Sequence, residues 1–234
     1  MKPLLALEDK MNTINAKKEW LSLIIGYLGA FLGLGIVVLL NHSVVMSLPL
    51  VVRMVLMIVI YLLIAAAPII VMLVNKDKLS DYGFAREKIG FQVIVGAAIG
   101  IALSLVLTLL PHLFGFGEYV TNGKSYTHLW QFAYEFVYYI LAVGFAEEFV
   151  FRGFVYEKIK RISQKDAVAV AASSALFGLF HIFGGNIVQV IVTALIGAFF
   201  CLCRLKIRNC SLLSLIIAHG IYDALITVWA AVFR

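Results

Sequence analysis

The sequence predicts an all-α, polytopic transmembrane helix bundle of seven or eight spans, and three observations carry that expectation. Of the 234 residues, 63% are hydrophobic and only 14% charged, with a mean hydropathy of +1.01, a combination foreign to soluble globular domains. Several apolar runs reach the roughly 20 residues that a helix needs to cross a bilayer. These runs are continuous and lack the alternation of a membrane β-barrel, so helices are the spanning element that satisfies the backbone inside lipid.

Seven spans are counted, at about 20–41, 49–74, 90–111, 128–162, 166–184, 187–205 and 210–233. The first follows a polar start with Lys2, Lys10, Lys17 and Lys18. No short apolar region with a small-residue cleavage site follows, so it reads as a retained span and not a cleaved signal peptide. The second holds Arg53 near its outer end, where the side chain can snorkel to the interface. Leu79-Ser80-Asp81-Tyr82-Gly83-Phe84 then reads as a turn in a loop. The fourth span has to run as one long helix to about residue 162, with Gly144 and Gly153 as places where it can bend. On the fifth and sixth spans, small residues (Ala171, Ala172, Ser173, Ser174, Ala175 and Gly178; Ala194, Gly197 and Ala198) let helices approach closely.

The net charge of +6 becomes informative once it is placed along the chain. Besides the four lysines of the start, Lys76, Lys78, Arg86 and Lys88 lie in one loop. Lys158, Lys160, Arg161 and Lys165 lie in a second, and Arg204, Lys206 and Arg208 in a third. The opposite side has only Lys124 and Arg234, while Arg53 and Arg152 fall within spans. The positive-inside rule therefore expects a multi-pass protein of the cell membrane with a cytoplasmic N-terminus. The basic surplus is topological, and no nucleic-acid partner is expected. Cys201, Cys203 and Cys210 fall near the basic end of the sixth span and read as ordinary lipid- or helix-facing thiols.

The chain divides into residues 1–127, a tail and three spans with few polar interruptions, and residues 128–234, where polar residues sit in the middle of spans. Ionisable side chains at membrane depth are costly and mark functional sites. Glu147, Glu148 and Arg152 lie on the fourth span, His181 on the fifth, His219 and Asp223 on the seventh. Glu148 and Arg152 are four apart in the favourable order for a helical ion pair, so they read as support. Glu147 lies on another face with no such partner. Burial disfavours the charge of an unpaired carboxylate, which suits a general base. Gln164 marks the turn between spans four and five, seventeen residues from both Glu147 and His181. Equal offsets in an antiparallel hairpin put both at one level. His219 lies about ten residues from its own turn, roughly 10 Å shallower, so tilt or a deeper turn has to close the gap. His219 and Asp223 share a helical face, a spacing that can hold a metal or orient the imidazole.

Glu147, His181, His219 and Asp223 together could bind zinc with an activated water. They could equally work without metal, Glu147 and His181 activating water while His219 and Asp223 stabilise an oxyanion. The absence of a His-x-x-x-His pair on one helix leans towards the metal-free version. His42, His112 and His128 fall in or beside outer loops and read as surface residues. Glu135 reads as an interfacial or packing carboxylate.

Over about residues 140–225 the sequence resembles the CAAX protease and bacteriocin-processing family of intramembrane proteases, also called the CPBP or Abi family. Its Glu-Glu-x-x-x-Arg motif is matched by Glu147, Glu148 and Arg152, its Phe-x-x-x-His motif by Phe177 and His181, and its His-x-x-x-Asn/Asp motif by His219 and Asp223. A small-residue and Phe motif is matched loosely by Gly197, Ala198 and Phe199. The family core is often described with eight helices, and its last motif often ends in Asn where this chain has Asp223. The resemblance implies an endopeptidase that cleaves membrane-associated proteins or peptides at the bilayer, with bacterial relatives linked to bacteriocin immunity and peptide maturation. Two other classes compete: a non-proteolytic immunity or scaffold protein, and a proton-coupled transporter. The transporter is disfavoured because none of the four prolines, Pro3, Pro49, Pro68 and Pro111, breaks a motif helix.

Overall fold

The computed structural model describes residues 2–121, 123, 124, 126, 128–184 and 187–233, with the backbone alone described for residues 2–15 and 184. Among these residues seven helices carry the apolar runs. They are α1 (Lys2–Ser43), α2 (Leu50–Asn75), α3 (Ile89–Leu113), α4 (Leu129–Ser163), α5 (Asp166–Phe180), α6 (Ile187–Lys206) and α7 (Leu212–Val232). Six are long and apolar enough to cross a membrane, the first from Ala16 to Ser47. The bounds of α2, α3, α4, α6 and α7 fall within two residues of those read from the sequence. Side chains such as Val51, Val74, Ile94 and Leu195 stay largely exposed, as lipid-facing positions of a multi-pass membrane protein require.

The fifth helix differs from the span expected at 166–184. α5 is 15 residues long, about 22 Å at 1.5 Å per residue and short of a hydrocarbon core of roughly 30 Å. It stops at Phe180, and His181 caps it with its amide on Gly178 O. The sequence there runs into Gly184, Gly185 and Asn186, poor helix formers. The histidine is thus held at the end of a helix that reaches only part of the way across.

α4 is one long helix, as the sequence requires, and it is not uniform. It is α-helical over Leu129–Tyr138, widens to a π-helix over Tyr139–Gly144, makes one α turn at Phe145–Glu148, widens again over Phe149–Val155 and finishes as α-helix over Tyr156–Ser163. π segments redirect side chains and are frequent at functional sites. Here they bracket the two glutamates, and each contains one of the glycines noted above. Where α4 crosses α7 the backbones nearly touch. A Cβ on Gly144 would lie 2.6 Å from Ile216 O, and one on Gly220 would lie 2.5 Å from the Ile140 Cα. Only glycine permits that approach.

α7 starts deep. Ser211, Leu212 and Ser214 are all buried. Ser211 caps the helix by accepting from Leu213 N at 3.1 Å, and its hydroxyl donates to the buried Gln92 of α3. Gln92 in turn donates to the carbonyls of Ala85 and Glu87 at 3.1 and 2.6 Å, while Leu212 N donates to Gly83 O at 2.9 Å. Gly83 adopts φ 91°, a region open to glycine. The loop before α3 therefore folds over the beginning of α7 and lets it start inside the bundle.

One end of the bundle gathers the basic loops. Lys158, 1% exposed, lies 2.8 Å from Glu19 of α1 and 3.3 Å from Asp77. Arg161 reaches the same two carboxylates at 3.5 and 3.6 Å, and the fully buried Tyr82 donates to Asp77 at 2.5 Å. Arg204 pairs with Glu157 and donates to Arg152 O at 2.6 Å. The three cysteines are free and buried, so they face helices.

Burial opposes ionisation of Asp77, but the hydrogen bonds from Tyr82 and Lys158 and the charges of Lys158 and Arg161 outweigh it and hold the carboxyl below its ordinary 3.8. A lowered folded-state value contributes stability that is complete above the unfolded value and lost as the pH falls through the folded one. We therefore expect the thermal midpoint of the detergent-solubilised protein to drop as the pH falls below about 4, and Asp77→Asn to remove part of that drop. The two proteins would be followed by unfolding scans across that window; parallel curves would refute the assignment.

Candidate active site

α4 supplies three ionisable side chains, Glu147, Glu148 and Arg152, at 3%, 0% and 1% exposure. Burying charges is tolerable only if each is paired. Glu148 Oε1 lies 3.1 Å from Arg152 Nη1, the ion pair that the four-residue spacing predicted. The same oxygen accepts from His219 Nδ1 of α7 at 2.7 Å. One carboxylate thus binds two cationic or donor groups from two helices.

The guanidinium of Arg152 lies over Phe177, with Cζ 3.9 Å from the ring centroid, a cation–π geometry. Phe177 also meets the ring of His181 edge-on at 4.7 Å. This explains the Phe at four residues before the histidine: its ring separates the ion pair from the imidazole and packs on both. Gly197 of α6 makes room for the stack. A Cβ there would lie 3.2 Å from both Arg152 Nη2 and the Phe177 ring.

His181 Nδ1 faces the Phe177 carbonyl at 3.0 Å. A carbonyl only accepts, so Nδ1 carries a proton and donates to it, and Nε2 is the nitrogen left facing the site. That nitrogen points to Glu147 Oε2 at 3.7 Å. The equal seventeen-residue offsets do place the two side chains at one level. His219 joins them, its Nε2 3.9 Å from Glu147 Oε2; Leu212 at the start of α7 lies against Gly153, where a Cβ would meet it at 3.2 Å, well before α4 ends at Ser163, so α7 begins deeper than the turn after α4. Asp223 Oδ2 lies 3.3 Å from His219 Nε2. The shorter contact on that ring comes from Glu148 at Nδ1, a pairing between helices that spacing within one helix cannot reveal.

The sequence reading missed Tyr61. It lies on α2, 86 residues before Glu147, and its hydroxyl donates to Glu147 Oε1 at 2.5 Å. Tyr138 of α4 meets it edge-on at 5.9 Å. A half-buried tyrosine in an apolar span carries no distinguishing signal in sequence. Glu135 is 1% exposed and gripped by Lys124 at 2.9 Å, Tyr126 at 2.8 Å and Thr227 at 3.2 Å, so it fastens the segment before α4 to α7. His42 and His128 are exposed. His112 is half-buried, with Nδ1 at 2.9 Å from Thr108 O and its ring against Phe233 at 5.3 Å.

A zinc ion here would draw on Glu147, His181, His219 and Asp223. Two imidazoles and two carboxylates are the right chemistry. Among the described residues no group of three His, Cys, Asp or Glu is disposed to hold an ion. The arrangement does not fit a zinc cage, and no step is derived through one.

Removing Glu148 would strand a buried guanidinium and a buried imidazole at once. Such a loss costs about 3–5 kcal/mol. We expect Glu148→Ala to lower the thermal midpoint and the folded yield sharply, whereas the near-isosteric Glu147→Gln keeps both. Equal midpoints in a detergent unfolding assay would contradict this division of labour.

Residues 128–225 match the family described as Type II CAAX prenyl endopeptidase Rce1-like. The match begins at the start of α4 and ends two residues after Asp223; it contains the three motif groups and leaves Tyr61 outside. No curated protein and no solved structure matches the chain. Over residues 128–225, then, the chain is similar to the Rce1-like type II CAAX prenyl endopeptidases of the CAAX protease and bacteriocin-processing family.

Proposed function

We propose that this chain is an intramembrane endopeptidase whose water-activating base is Glu147. The observation that carries the reading is the convergence of one buried carboxylate oxygen and two imidazole nitrogens from three helices. Glu147 Oε2 is buried, with His181 Nε2 at 3.7 Å and His219 Nε2 at 3.9 Å. These separations suit one water shared among the three, each contact being of hydrogen-bond length.

In this reading the water donates one hydrogen to Glu147 Oε2 and the other to the lone pair of His181 Nε2. Its oxygen adds to the carbonyl carbon of the scissile peptide as Glu147 takes the proton. His219 faces acceptors at both nitrogens, so its Nε2–H is directed into the same space, where it donates to the developing oxyanion. Asp223 steadies that donor. The proton on Glu147 then passes to the leaving nitrogen, the C–N bond breaks, and a carboxylic acid and an amine result. Arg152, Glu148 and Phe177 touch no reacting atom; they hold the two histidines in place. The substrate is a membrane-associated protein or peptide, because the surrounding helices present apolar surface to lipid.

The expected outcome in proteoliposomes with a membrane-proximal peptide is that Glu147→Gln and His181→Ala each lower the cleavage rate by about a hundredfold or more, with expression intact. Wild-type rates in both would sink the reading. Because the donors do not form a zinc cage, activity should survive chelation and dialysis, and purified protein should hold substoichiometric zinc; inactivation by a chelator that added zinc reverses would establish a metalloprotease. A role in bacteriocin immunity or peptide maturation rests on the resemblance. Cells carrying Glu147→Gln test it: protection equal to wild type would separate immunity from catalysis. The basic end of the bundle is proposed to face the cytoplasm.

A further inference from the structure

Glu147 presents two inequivalent oxygens. Oε1 accepts from the Tyr61 hydroxyl at 2.5 Å. Oε2 is buried with no hydrogen-bond partner among the described residues, and it is this oxygen that faces His181 and His219. A carboxylate on a flexible side chain would otherwise exchange its two oxygens by rotation about its last bond, where the torsional preference is broad.

Tyr61 is itself fixed from several sides. It is the last residue of the α-helical part of α2, which tightens to a 3₁₀ turn over Leu62–Ala65. Ile64 and Ala65 in that turn are fully buried. Gly33 of α1 allows the contact there: a Cβ on it would lie 2.6 Å from Leu63 O. On the other side the Tyr61 ring meets Tyr138 edge-on, and Tyr138 stacks on Tyr134 at 5.8 Å. Tyr134 donates to Met54 O at 2.9 Å, back on α2. Helix α2 is thus tied to α4 through the same ring column that holds Tyr61, and the phenol has little freedom to leave Glu147.

We propose that Tyr61 is a positioning residue for the hydrolytic reaction: its hydroxyl pins Oε1 of Glu147, so that Oε2 alone takes the proton from the attacking water. The inference rests on Glu147 acting as base. It adds that the N-terminal half supplies part of the working site, since Tyr61 lies outside the stretch matched by the family.

The test compares wild type, Tyr61→Phe, Glu147→Gln and the double variant in proteoliposomes. It also includes protein carrying 3-fluorotyrosine or 3,5-difluorotyrosine at position 61 alone. A hydrogen bond to a charged group predicts that Tyr61→Phe lowers kcat by about ten- to a hundredfold, with KM within about twofold because the substrate is not touched. In the Glu147→Gln background the same change should add no further loss. The fluorotyrosines are near-isosteric, so they preserve packing and alter only the strength of the donor. A kcat that shifts progressively with one and then two fluorines, at constant thermal midpoint, supports positioning, and it decides the matter even if Tyr61→Phe folds poorly. Unchanged kcat in Tyr61→Phe, or fluorotyrosine proteins indistinguishable from wild type, overturns the proposal while leaving Glu147 as base. Full activity in Glu147→Gln removes the base itself, and the proposal falls with it.

Discussion

Glu148 is the residue on which the arrangement of the other site groups depends. Its carboxylate is wholly buried, and a single oxygen holds Arg152 of its own helix and His219 of α7. In a low-dielectric interior none of these three can be left alone without a large penalty. The pairing therefore dictates that α4 and α7 meet here, face to face and at this depth. Phe177 joins the same stack by covering the guanidinium, which brings α5 and its terminal histidine into register. Proposed chemistry and packing are thus the same set of contacts seen from two directions.

The backbone meets this demand with irregular geometry. A uniform α-helix would carry Glu147, Glu148 and Arg152 around its axis by fixed steps. The two π segments on either side of Phe145–Glu148 widen those steps, and Gly144 and Gly220 remove the side chains that would keep α4 and α7 apart. α5 contributes by being short. A helix ending at Phe180 makes His181 its C-terminal cap, so the imidazole stands at the end of α5, facing Glu147. The deep start of α7 does the same for His219. Each of these features moves one side chain to a common plane.

Holding charged groups at that depth also requires that the helix ends stay put. The loop before α3 folds onto the start of α7 through Gly83, Ser211 and Gln92. Lys158, Arg161, Glu19 and Asp77 bind α1, α4 and the segment after α2 together at the basic end. Arg204 reaches the carbonyl of Arg152 itself. At the other end Glu135 fastens the segment before α4 to α7. The side chains proposed to react thus sit between two clamped ends.

The sequence by itself determined the membrane bundle, because apolar runs of spanning length leave the backbone no other way to satisfy its hydrogen bonds in lipid. It also determined which ionisable residues sit at depth, since charges stand out against an apolar background. The ion pair of Glu148 with Arg152 and the common level of Glu147 and His181 follow from helical period and hairpin symmetry alone. What only the tertiary structure decided are relations between helices whose separation in sequence carries no period. The length of α5 and the depth of α7 depend on loop packing. Glu148, not Asp223, takes the shorter grip on His219 because two helices cross at glycines. Tyr61 reaches Glu147 from 86 residues away, and among the ten tyrosines of this chain nothing local marks it out. Its significance comes from the carboxylate opposite it, and that neighbour exists only once the bundle has closed.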